Sequence, residues 1–116
     1  MFLDDLRNHC IQKPGVSEGF PFDQKTLVFK VCGKMFALMD VEIFDSVNLK
    51  CDPVWARELR ERFQAVRPGF HMNKTHWNTV FLFEDVNDKF LLELVDHSYH
   101  LVYASLPKKI RDENPL

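Results

Sequence analysis

The residues able to do chemistry gather between Arg67 and Thr79. The run Arg67-Pro68-Gly69-Phe70-His71-Met72-Asn73-Lys74-Thr75-His76-Trp77-Asn78-Thr79 holds two His, two Asn, a Lys, an Arg and a Trp, and no Asp or Glu lies between Glu61 and Glu84. Side chains of these types contact phosphate oxygens, and an Asn amide can read a base edge or a sugar. Arg67, His71, Asn73, Lys74 and His76, joined by Lys30, Lys34 and Lys50 from nearby strands, would make a modest basic face for a nucleic acid. Two other readings fit the same residues. In one, Asn73, His76, Asn78 and Thr79 hydrogen-bond the backbone of a tight loop and Trp77 fills the core. In the other, the His71–Trp77 loop forms a polar pocket for a protein or a small ligand.

Other chemistries find less to work with. Cys10, Cys32 and Cys51 are odd in number and lack C-x-x-C spacing, which argues against a disulfide framework and a zinc site. Cys51 precedes a helix start, where a thiol pKa can fall, but no His or Asp stands in a recognisable local frame with it. His71 and His76 are five apart, and His97 and His100 share a helix face, yet neither pair has flanking ligands. No phosphate loop or dinucleotide fingerprint is present. The expectation is a protein that is not an enzyme and needs no metal or cofactor.

Composition sets the frame. A chain of 116 residues, 46% hydrophobic and 28% charged, is an ordinary globular composition. It predicts a single domain over 1–116, with 108–116 a tail. The net charge of -2 gives no global pull toward nucleic acid. Charge is uneven, though: residues 24–83 carry nine Lys/Arg against six Asp/Glu, while 84–96 carry five acids against Lys89 alone. No apolar run approaches the roughly 20 residues of a membrane span, and Asp4 and Asp5 stand where a secretory signal would be basic. Free thiols fit a reducing cytoplasm. The oligomeric state is not written in the sequence, and a monomer is the simplest expectation.

The pattern also predicts the elements that position the segment. Phe2, Leu3, Leu6 and Cys10 recur at helical spacing, and Lys13-Pro14-Gly15 ends that helix. Val16 to Gln24 reads as a loop, with Phe20 and Phe22 plugging onto the core. Thr26–Val31 and Lys34–Met39 read as a hairpin about Cys32-Gly33, and Ser46–Cys51 as a third strand with Val47 and Leu49 inward. Asp52-Pro53 is an N-cap followed by proline at the first helical position. Trp55, Leu59 and Phe63 make the apolar stripe of that helix, with Arg57, Glu58, Arg60, Glu61 and Arg62 solvating its other face. Trp77–Phe83 reads as a strand and Asp88–Leu106 as a long final helix, after which the chain should fray. The sum is a two-layer α+β domain, mainly antiparallel, with helices packed on one side.

Several separated motifs, in order, resemble the MmcQ/YjbR family of small bacterial proteins. They are Lys13-Pro14-Gly15 with Phe20-Pro21-Phe22, Phe29 to Ala37, Val47 to Pro53, Arg67 to Val80, and Ser98-Tyr99 with Leu101-Val102. The resemblance covers nearly the whole chain. It implies an α+β fold with an antiparallel sheet, likened to a double-wing arrangement, and a DNA-binding role. It carries over no catalytic residues.

Overall fold

A computed structural model describes all 116 residues. Helix α1 (Leu3–Ile11) leads into strand β1 (Val16–Gly19), then β2 (Thr26–Val31), β3 (Lys34–Asp40) and β4 (Ser46–Lys50). Helix α2 (Pro53–Arg62), β5 (Val66–Pro68), β6 (Trp77–Phe81), α3 (Asp88–Ala104) and α4 (Lys108–Glu113) follow. The strands form one sheet in the order β1-β2-β3-β4-β6-β5, every neighbouring pair antiparallel. No helix is long and apolar enough to cross a membrane.

The expected hairpin turns at Cys32 and Gly33, both at positive φ (47° and 86°), the pairing of a tight two-residue turn that matches strand twist. Asp52 caps α2 by accepting from the Trp55 amide at 3.1 Å, with Pro53 at the first helical position. Asn87 caps α3 by accepting from the Phe90 amide at 2.8 Å.

Four readings need correction. Val16–Gly19 is an edge strand, not loop, and Phe20 and Phe22 stay 49% and 64% exposed instead of plugging the core. The strand expected over Trp77–Phe83 stops at Phe81 as β6, with Val66–Pro68 paired beside it as a short edge strand. Where a tail was expected, residues 108–113 form α4. Tyr103 Oη donates to the carbonyls of Arg111 and Asn114, holding α4 against α3.

The two faces of the sheet differ sharply. Twenty-four buried residues fill the space between the helices and the sheet. On the opposite face the buried apolar cluster is just Val28, Leu38 and Trp77, with Met35 and Met72 packed on it. Alternation explains the division: Leu27, Phe29, Val47, Leu49 and Val80 point to the helices, and their neighbours point away.

A β-bulge strengthens the asymmetry. The β2–β3 register shifts between Phe29 and Lys30, so Phe36 is the extra residue between Met35 and Ala37. Phe36 and Ala37 both enter the helix-side core, where Phe36 meets Tyr99 edge-on at 5.4 Å. The β3–β4 ladder spans only Ala37–Met39 against Leu49–Val47. Just beyond it, the buried Ser98 hydroxyl donates to the Phe36 carbonyl at 2.6 Å and accepts from the Lys50 amide at 2.9 Å.

Ser98→Ala leaves that carbonyl and that amide without a partner. The expected cost is about 2 to 4 kcal/mol, from two unsatisfied buried groups. Urea unfolding measures it, and a loss under about 1 kcal/mol would show that the bridge contributes little.

His97 gives a pH signature. Its Nε2 accepts from the Asp52 amide at 3.1 Å, and its ring packs edge-on against Trp55 at 4.6 Å. Burial holds its pKa below the usual 6.5, nearby Asp52 raises it in part, and His100 lowers it further. Because the folded value is the lower one, the unfolded chain takes up the proton first as pH falls. The stabilisation from neutral His97 is therefore complete above about pH 6.5 and is lost as pH falls through its folded value. Urea midpoints from about pH 8 to pH 5 should decline more steeply for the wild type than for His97→Gln. Parallel slopes would disprove the assignment.

Candidate functional site

The helix-free face of the sheet carries a cleft of about 670 Å³. Its floor is Thr26, Leu38, Ser46, Asn48, Thr79 and Phe81, residues of four neighbouring strands. Phe70, His71 and Met72 overhang it from the β5–β6 connection, and Phe22 and Ile43 border it. Phe22, Ile43 and Phe70 are each about two-thirds exposed, at 64%, 66% and 67%.

The connection between β5 and β6 is held by polar contacts at its root. Gly69 lies so close to Trp77 that a Cβ would come within 2.8 Å of both the Trp77 Cβ and its carbonyl oxygen, and the Gly69 amide donates to that oxygen at 2.9 Å. Thr79 Oγ1 accepts from the Phe70 amide at 2.8 Å and donates to Asn48 Oδ1 at 2.5 Å. Lys74 Nζ donates to the Gly69 carbonyl at 3.0 Å. Asn73 Oδ1 accepts from the amides of Thr75 and His76, closing a side-chain turn. His71 takes a positive φ of 59° at the tip, a conformation His tolerates better than bulkier residues.

Arg60 completes the support from the other face. Its Nε donates to Asn78 Oδ1 at 2.6 Å, and Nη2 reaches the carbonyls of Lys74 and Trp77. Asn78 is buried and returns a bond from Nδ2 to the Ala56 carbonyl at 3.4 Å. Arg60 was expected on the solvated face of α2 and instead turns inward. The signal was available: Asn78 falls on the buried side of β6, and a buried amide needs a partner.

The eight residues expected to bind nucleic acid do not converge. Arg67 pairs with Glu84 at 3.2 Å, donates to the Gln64 carbonyl and lies 4.2 Å from the Phe81 ring centre. Lys74 and Asn73 serve the loop's own backbone. His71 overhangs the cleft, and His76 is exposed on the loop. Lys30 pairs with Met35 and Lys50 with Trp77, which puts both lysines on the helix-free face. Lys34 sits opposite Val31, whose side chain faces the helices, so it leaves the hairpin on the other side. The expected pocket beside Trp77 is displaced: the cleft opens under Phe70–Met72 and runs toward Asp40 and Asp45.

The buried thiols and the α3 histidines are placed differently from a catalytic group. Cys51 is buried, and its thiol is pushed up to about 12 by burial and then by Asp52, the reverse of an activated thiol. Burial likewise pushes Cys10 up to about 12. His97 spends Nε2 on the Asp52 amide, and His100 Nδ1 lies 2.7 Å from the Asp96 carbonyl. No three His, Cys, Asp or Glu side chains come together as metal ligands would.

Known proteins place the chain in a family. The family model described as YjbR matches residues 11–101. The uncharacterized protein YjbR of Escherichia coli K12 is 37% identical over 112 residues, covering 96% of this chain and 95% of its own. The uncharacterized protein YbdF of Escherichia coli O157:H7 is 33% identical, covering 86% and 83%. Among solved structures, the Deinococcus radiodurans protein DR2400, a DUF419-domain protein, superposes with a TM-score of 0.90 at 42% identity, over 96% of this chain and 86% of that one. A Pseudomonas syringae protein superposes with a TM-score of 0.74 at 25% identity, over 88% and 99%. On this match across nearly its whole length, the chain belongs to the YjbR family.

Proposed function

We propose that this protein is a binding module, not a catalyst, and that it takes its ligand in the cleft on the helix-free face of the sheet. The observation that carries the reading is the cleft itself. A concavity of about 670 Å³ falls in the range of ligand sites, and its lining mixes apolar side chains with a few polar groups. Exposed Phe22, Ile43 and Phe70 gather at one opening, where an apolar rim is otherwise costly. The raised thiols of Cys10 and Cys51 and the engaged His97 support reading it as a binder. Three unpaired cysteines suit a protein of a reducing cytoplasm.

A second reading, DNA binding, has one specific observation in its favour. Lys30 and Lys50 share the helix-free face near the Cys32–Gly33 turn, and neither ammonium is engaged in an ion pair. Asp23, Asp40 and Asp45 line the cleft at the other end of the face and would repel a phosphate backbone laid along it. The cleft reading therefore fits the face better.

Two measurements separate these readings. A fragment screen by two-dimensional NMR should perturb the amides of Asn48, Thr79 and Phe70–Met72 together. Ser46→Trp, which fills the floor, should abolish those shifts while circular dichroism stays unchanged. Shifts scattered over the surface would sink the cleft. Fluorescence anisotropy with labelled duplex tests the other reading. Binding near about 10 to 100 µM that weakens with salt and is lost in Lys30→Ala/Lys50→Ala would establish DNA as a partner. No binding in that range removes it.

A further inference from the structure

We infer that the cleft selects an organic cation: an amine joined to a flat or aliphatic body. The inference rests on the cleft reading and adds the chemical class of its ligand.

The charges facing the cleft are unbalanced. Asp23, Asp40 and Asp45 line it against Lys25 alone. Two of the carboxylates are partly committed to the backbone. Asp23 accepts from the amides of Lys25 and Thr26, which holds its pKa low, and Asp40 accepts from those of Glu42 and Ile43. Asp45 is different. Its backbone carbonyl takes the Leu82 amide, but its exposed carboxylate has no partner. It is the acidic side chain of the lining left free to meet a ligand; Lys25, of opposite sign, is likewise unpaired.

The apolar part of the lining agrees with that charge. Phe22 and Phe70 are exposed aromatic residues of the lining, and Met35 and Met72 add polarizable thioethers to it. Aromatic faces carry negative potential and attract ammonium groups. Phe81, on the floor, already holds the Arg67 guanidinium at 4.2 Å from its ring centre, which shows the same preference within the chain. A carboxylate, aromatic faces and thioethers around one concavity suit a cation that also has apolar surface to bury. An anion would meet three carboxylates, and a strongly hydrated inorganic cation would gain nothing from the rings.

The test uses three probes of one shape: 4-phenylbutylamine, 4-phenylbutanol and 4-phenylbutyrate. Each is titrated into isotopically labelled full-length protein, following the amides of Asn48, Thr79 and Met72. The amine should bind roughly three- to five-fold tighter than the alcohol, the scale of one partly exposed ion pair, and the butyrate weakest. Asp45→Asn should bring the amine down to the affinity of the alcohol and leave the alcohol unchanged. Raising the salt should do the same. If the alcohol binds at the cleft as tightly as the amine, or the butyrate binds best, the charge selection is wrong and the cleft reading survives. If none of the three moves the cleft amides, both fall.

Discussion

One buried hydroxyl decides how the two layers of this domain meet. Ser98 stands where the β3–β4 ladder ends, taking the Lys50 amide and giving its proton to the Phe36 carbonyl. Without it, the bulge at Phe36 would leave an orphaned carbonyl and an orphaned amide in the core. With it, the bulge can send Phe36 and Ala37 to the same side, which enlarges the helix-side core at the expense of the other face. Tyr99, the next residue, is buried too, and its hydroxyl donates to the Pro14 carbonyl at 2.6 Å, tying α3 to the turn after α1. The helix-free face is thus a consequence of how α3 is seated. Most large core side chains are committed to one side, and a shallow apolar cluster around Trp77 with a cleft is what remains on the other.

The polar segment between Arg67 and Thr79 changes meaning within that frame. Its Asn, Lys and Thr side chains, together with Arg60 from α2, are spent on backbone carbonyls and amides of the loop. They fix where Phe70, His71 and Met72 hang. The polar residues are fasteners, and the part of the loop over the cleft is Phe70, His71 and Met72. A loop without internal β or α ladders needs side chains to satisfy its backbone, and this one draws them from both faces of the sheet.

Much of the architecture was legible because it follows from local rules. Alternation over Leu27–Val31 and Val47–Leu49 gave the buried face, Cys32-Gly33 gave the hairpin, and Asp52-Pro53 gave the start of α2. What was missed depends on distant partners. β1 and β5 are edge strands of four and three residues, too short for alternation to register, and each exists only because β2 or β6 lies beside it. α4 is six residues with no buried side chain, and it is held by Tyr103. Arg67 looked like a free cation because Glu84, seventeen residues on, lies outside any local window. The carboxylate-free run is real in sequence, yet folding brings Asp40 and Asp45 into the lining of the same cleft. Charge read along the chain is a poor guide to charge read across a sheet.

The exposed rim bears on why the cleft exists. Burying a Phe or Ile side chain fully is worth about 1.5 to 3 kcal/mol, and Phe22, Ile43 and Phe70 each forgo a large part of that. Single exposed apolar residues are common, but these three come from separate connections: the β1–β2 loop, the β3–β4 turn and the β5–β6 loop. Each connection is braced by a side chain accepting backbone amides near the exposed residue: Asp23 beside Phe22, Asp40 at Ile43 itself, and Thr79 at Phe70. Such bracing fixes the backbone from which each of the three side chains projects. On the proposed reading, backbone fixed in this way would preorganise the cleft, so that the cost of exposure is met during folding and need not be met again on binding.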